Sequence, residues 1–178
     1  MSTARLSNAV EFFKTELRWI GVVYDARGWL ARLSFFNERK QDAENAVKGF
    51  LTPSHRLIFD GSVVKDAIRR YSAGENPGVQ TIALSPCKTG FQERVRNSCR
   101  KIDYGCTTTY GELACYADSP RGARAVGLCM KNNPIPIIVP CHRVLGAGDR
   151  LGGFSAGPGI SLKKQLLRME GVKRKFVN

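Results

Sequence analysis

The sequence predicts an α/β (α+β) protein: a small N-terminal α/β domain with an antiparallel sheet, then a mainly helical C-terminal domain containing a helix-turn-helix. Three observations predict it. Runs rich in β-branched and aromatic residues crowd the first 35 positions, helical spacing dominates the later ones, and two short helices with clear start signals flank a tight turn near Ser119. At 178 residues and 43% hydrophobic, the chain can pack two small cores. Ser85-Pro86 closes the linker-like Gly74-Glu75-Asn76-Pro77-Gly78 stretch, so the domains are placed at 1–85 and 86–178.

In order, Ala9–Phe13 starts an apolar, strand-like run. Trp19–Tyr24 and Trp29–Phe35 follow as strands, and Asp25-Ala26-Arg27-Gly28 between them reads as a hairpin turn. A helix is expected from about Arg39 to Leu51, with Ala43, Val47 and Leu51 four apart. After Thr52-Pro53 a second spans Ser62–Tyr71 and carries Val63, Ala67 and Ile68. Thr81–Leu84 is a last short strand or connector. His55 stands alone in this half, which shows no catalytic constellation.

The second half opens with a helix from Phe91 to about Lys101. Thr109-Tyr110-Gly111-Glu112 is a capping box, in which the Thr109 hydroxyl accepts an early helix N–H and Glu112 reaches back. That helix runs to about Ala117. Ser119 then reads as an N-cap with Pro120 in the first helical position, and the next helix continues through Met130. Its Gly122, Ala123, Ala125 and Gly127 are small, and Arg121 and Arg124 share a face. Small residues let a partner approach the backbone, although they also suit tight helix packing.

Charge is uneven. Residues 86–178 carry 16 Lys and Arg against 6 Asp and Glu, whereas residues 1–85 carry 12 against 9. A basic surface in one half points to a polyanion. No apolar run approaches bilayer-spanning length and no signal-peptide core follows Met1, so an intracellular setting and no membrane partner are expected. The six cysteines show no C-x-x-C spacing and only His55 and His142 accompany them, so free thiols are expected, with no metal site and no cofactor.

The chemistry concentrates in Asn133-Pro134-Ile135-Pro136-Ile137-Ile138-Val139-Pro140-Cys141-His142-Arg143-Val144. The prolines forbid a helix, and Ile137-Ile138-Val139 reads as a short buried strand or extended segment delivering Cys141 beside an imidazole. With Gly152-Gly153-Phe154-Ser155 and Leu166-Leu167-Arg168-Met169-Glu170 downstream, this order and spacing closely resemble the O6-alkylguanine-DNA alkyltransferases, also called methylated-DNA–protein-cysteine methyltransferases. The resemblance is strong over 91–171 and loose before it.

The resemblance implies direct reversal of damage in duplex DNA. The alkyl group of O6-alkylguanine, and by extension of O4-alkylthymine, would move irreversibly to Cys141 of a monomer, in the cytoplasm or, in a eukaryote, the nucleus. It implies a Cys141–water–His142–Glu170 relay, with Tyr110 donating to the leaving base and Asn133 tying turns around the site. Arg124 would fill the space of the flipped nucleotide, and Arg121, Gly122, Ala123 and Thr109 would meet DNA. Pro136, Val144, Phe154 and Ser155 would form the substrate pocket. Phe154 stands where many relatives carry Tyr. Rival classes are a lesion-binding relative without transfer, which lacks the nucleophile that Cys141 supplies, a helix-turn-helix regulator, and a cysteine hydrolase, which would turn over.

Overall fold

The computed structural model describes residues 9–50 and 61–177. Leu51, Thr52-Pro53 and His55 lie outside the described residues. The chain divides into two compact units. One contains the residues up to Ala73 with Pro77–Ser85; the other contains Gly74–Asn76 with everything from Pro86. The architecture is the expected α/β (α+β) one, with all three long strands in the first unit.

In the first unit, β1 (Ala9–Thr15), β2 (Arg18–Tyr24) and β3 (Leu30–Asn37) form an antiparallel meander, with Val10 facing Val23 and Val22 facing Leu33. The hairpin at Asp25 is closed by its side chain, whose Oδ1 accepts from the N–H of Arg27 (2.9 Å) and of Trp29 (3.1 Å). Central β2 buries Ile20 through Tyr24, and α1 (Lys40–Val47) contributes Ala43 and Val47 to the core. In α2 (Ser62–Ser72) the buried face is Val64, Ala67, Ile68 and Tyr71. Val63, expected inside, is exposed, because the stripe is in register with Val64. No strand forms at Thr81–Leu84: Val79–Thr81 is a 3₁₀ turn, and only Leu84 bridges to Leu30.

The second unit holds α3 (Gly90–Arg100), α4 (Tyr110–Tyr116), α5 (Ala123–Lys131) and α6 (Ile160–Met169). The capping box forms: Thr109 Oγ1 accepts from the Glu112 N–H at 3.1 Å, and Glu112 Oε2 accepts from the Thr109 N–H at 2.7 Å. The expected start of α5 at Pro120 is corrected to Ala123. The Gly122 N–H closes a turn on the Ser119 carbonyl (2.7 Å), and a Cβ at 122 would collide with Ser119 Oγ and sit 2.9 Å from that carbonyl oxygen. Arg121 therefore lies in the turn before the helix, and does not share a helical face with Arg124.

A two-residue strand, β4 (Thr108–Thr109), runs parallel to β5 (Val144–Leu145), so the start of α4 is bonded to the chain just beyond Cys141. Ile137-Ile138-Val139 is buried as expected, but it is a turn and not a strand. Pro136 bridges to Val139, and Ile137 takes φ +73°, a left-handed conformation that is costly for a β-branched residue. Three prolines in eight residues, Pro134, Pro136 and Pro140, leave too few N–H donors for a ladder. Among the described residues no helix is long and apolar enough to cross a membrane.

Candidate active site

Cys141 begins a single 3₁₀ turn, Cys141–Arg143, straight after Pro140, and is 6% exposed. Burial pushes its thiol above the ordinary value, and the amide of Asn133 counteracts this by donating from Nδ2 to Sγ at 3.1 Å. Asn133 also donates to the Val139 carbonyl (2.8 Å), and its Oδ1 accepts from the Ile135 N–H (3.1 Å). One amide thus staples both arms of the strained turn and faces the sulfur.

His142 and Glu170 are buried beside each other, His142 Nε2 standing 2.6 Å from Glu170 Oε1. Glu170 caps the C-terminus of α6 but is not a solvated charge. Arg143, whose role the sequence did not disclose, forks onto the same carboxylate, with Nε to Oε2 at 2.8 Å and Nη2 to Oε1 at 3.0 Å. Its Nη1 reaches the Ile102 carbonyl at 2.7 Å. The Gly105 N–H adds a further bond to Oε2 at 3.2 Å.

Burial alone would raise the Glu170 carboxyl, but the His142 and Arg143 hydrogen bonds and charges reverse this and hold it at about 2. For His142 burial wins: its pKa is lowered despite the carboxylate, with the Arg143 charge assisting. Arg143 balances Glu170, so the imidazole stays neutral at rest. With Nε2–H directed at the carboxylate, Nδ1 is the nitrogen of the neutral ring able to accept a proton.

Four of the predicted residues line one cavity of about 480 Å³: Cys141, Tyr110, Phe154 and Ser155, joined by Gly127, Met130 and Lys131. Tyr110, the first residue of α4, is brought there by the β4–β5 pairing, and its hydroxyl is kept protonated by burial. Gly152 makes room for it: φ is +65°, and a Cβ there would lie 3.2 Å from Tyr110 Cε2. Ser155 Oγ donates to the Lys131 carbonyl at 2.7 Å, tying the loop to the end of α5. Pro136 and Val144 are buried and not among the lining residues. The Val144 carbonyl instead accepts from Lys163 Nζ.

Lys163 is the residue that sequence reasoning missed most completely. It is 0% exposed, donates to the carbonyls of Val144 (2.6 Å) and Leu151 (2.5 Å), and lies 6.0 Å from the Tyr110 ring centroid. Burial lowers its pKa to about 8. The signal was available, since Lys163 sits between Leu162 and the Leu166-Leu167 pair on the apolar face of α6.

Arg124 and Arg121 are exposed, on the first turn of α5 and just before it. Gly122 and Ala123 are half-buried there, and Thr109 is engaged in the capping box. Among the described residues no three His, Cys, Asp or Glu side chains converge as a metal site.

Residues 90–172 match the family described as 6-O-methylguanine DNA methyltransferase, DNA binding domain. The methylated-DNA–protein-cysteine methyltransferase of Haemophilus influenzae is 44% identical over 109 residues, covering 61% of this chain and 60% of that protein. The protein of the same name from Methanosarcina acetivorans is 45% identical over 104 residues, covering 58% and 65%. The chain thus spans under two thirds of the length of these curated relatives. Among solved structures, that of Mycobacterium tuberculosis OGT in complex with DNA superposes with a TM-score of 0.70 at 33% identity, covering 91% of this chain and 92% of that one. The O6-methylguanine-DNA methyltransferase of Pyrococcus kodakaraensis gives 0.63 at 27% identity, covering 93% and 99%. With the thiol on the cavity wall, the buried imidazole–carboxylate pair beginning at the next residue, and a structural likeness that covers nine tenths of the chain, the chain belongs to the methylated-DNA–protein-cysteine methyltransferase family.

Proposed function

We propose that the protein repairs DNA by direct reversal, moving the alkyl group of O6-alkylguanine in a duplex to Cys141, once per chain, as a monomer acting on intracellular DNA. The observation that carries this reading is the thiol on the wall of the 480 Å³ cavity, facing Tyr110 and backed by the buried His142–Glu170 pair. A target inside a stacked duplex cannot reach that wall, so the nucleotide has to be flipped out, at a cost of a few kcal/mol. Exposed Arg124 at the start of α5 occupies the vacated space, and Arg121, Gly122, Ala123 and Thr109 lie along the backbone.

The resting thiol is protonated, since burial raises its pKa. Neutral His142 takes that proton, through a water or directly, and Glu170 stabilises the imidazolium that forms. The sulfur electron pair then makes the S–C bond while the O6–C bond breaks. Tyr110 supplies a hydrogen bond or proton to the base, whose charge rises as it leaves. The thiol loses one proton and guanine gains one, so the overall exchange balances. Asn133 holds the thiolate, and the backbone N–H of Ser155 meets O6.

The test is intact mass after mixing with excess O6-methylguanine duplex. One added methyl per chain, mapped to Cys141 and then no more, is the expected result. Cys141→Ser should transfer nothing while still binding the lesion. Methyl spread over several cysteines, or many turnovers per chain, would overturn the reading.

A further inference from the structure

We infer that the C-terminal segment and the exposed face of α6 form a second polyanion site, a groove that takes the phosphodiester backbone of DNA away from the flipped nucleotide. This rests on the reading that the protein acts on duplex DNA. A groove of about 610 Å³ is walled by Lys164, Arg168, Lys173, Arg174 and Lys175 together with half-buried Val172 and Phe176, and among the described residues no acidic one lines it. Asp149 pairs with Arg174 at 2.7 Å, and Glu112 feels the Arg174 charge.

The cations are held in place. Val172 and Phe176 turn inward against Leu145, Leu151 and Leu167, so the three basic residues between them face outward. Backbone bonds clamp both ends: the Val172 N–H donates to Leu167 O, the Leu151 N–H to Val177 O and the Val177 N–H to Asp149 O, each at 3.0 Å. Fixing like charges side by side is unfavourable in the free protein, and a bound polyanion relieves it. A backbone already ordered also loses less entropy on binding.

Five cations exceed what a single phosphate needs. A lipid surface would want a row of apolar side chains turned outward, whereas Val172 and Phe176 are half-buried against the core cluster and leave the cations as the exposed part of the wall. A strand of DNA presents successive phosphates to such a row. The phosphates can come from the duplex engaged at α5 or from a second duplex.

The triple variant Arg168→Ala, Lys173→Ala, Lys175→Ala decides between them. Affinity for a duplex is measured across a salt series, together with the capture of a second, labelled duplex by protein already bound to a first. Neutralising three contacting cations should flatten the log K against log salt slope by about 2–3 if one duplex spans both sites. If the groove takes a second duplex, the slope for the first is unchanged and the bridging is lost. Arg168→Lys, Lys173→Arg, Lys175→Arg should restore whichever was lost. Methyl transfer at saturating duplex and the melting temperature should stay close to those of the unmodified protein. An unchanged slope together with unchanged bridging overturns the inference. A protein that binds DNA with these properties but takes no methyl on Cys141 would overturn the proposed function and leave the groove standing.

Discussion

Asn133 presents its Nδ2 to Cys141 Sγ at 3.1 Å. Because the same side chain also bonds Val139 and Ile135, its two effects separate by substitution. Asn133→Asp keeps the acceptor for the Ile135 N–H but sets an anion against the sulfur. The thiol pKa should rise, and methyl transfer at pH 7 should fall roughly tenfold or more, since a rise of one unit leaves a tenth of the thiolate. The pH profile of iodoacetamide labelling of Cys141 should move to higher pH. An unmoved profile would show that the amide only braces the turn.

His142→Ala should give a folded protein that binds alkylated duplex and transfers slowly at neutral pH. Raising the pH should recover part of the rate, because more Cys141 ionises unaided. A wild-type rate at pH 7 would remove His142 as the base.

Glu170→Gln should slow transfer less than His142→Ala does, if the carboxylate orients the ring. Its larger effect should be on stability. The substitution leaves the buried Arg143 guanidinium without its counter-charge, and breaking buried pairs costs about 3–5 kcal/mol. Urea midpoints would measure this, and a loss below about 1 kcal/mol would mean that Arg143 finds another partner.

Acid should destabilise the protein in two stages. The folded His142 resists protonation while the unfolded chain does not, so stability from this group falls as pH drops below the ordinary value of 6.5. Glu170 is held at about 2 against an ordinary 4.5, so its contribution is fully present above 4.5 and is lost as pH falls to about 2. That second stage amounts to roughly 3 kcal/mol. Denaturant midpoints at successive pH values should show both stages, and Glu170→Gln should erase the lower one.

Arg124→Ala should slow transfer from duplex DNA while leaving reaction with a free O6-benzylguanine base much less affected, since only the duplex requires a base to be displaced. Equal losses on both substrates would assign Arg124 to the pocket or the fold.

The sequence disclosed what is periodic or local. Strands β1 to β3, helices α1 to α4 and the Thr109 capping box follow from spacing and hydrogen-bonding chemistry. The start of α5 was misplaced because Ser119-Pro120 is a good local signal, and only the fit of Gly122 against Ser119 overrides it. Ile137-Ile138-Val139 looked like a strand because burial favours the same residues in a strand and in a buried turn. The His142–Glu170 pairing was legible only through family resemblance, since 28 residues separate the two in the chain. The place of Lys163 on the apolar face of α6 signals its burial but not its partners, and the role of Arg143 is hidden because its counter-charge lies 27 residues away, beyond the reach of local pattern.

A single carboxylate serves both His142 and Arg143, and this makes the three positions one inheritance unit. Changing Glu170 strands two partners at once, whereas changing either partner alters the field that the other feels. The effects of double substitutions should therefore fall well short of additive. A library that randomises these sites one at a time would record only losses. Any viable alternative, such as an apolar packing in place of the Arg143–Glu170 pair, would surface only when all three positions are varied together.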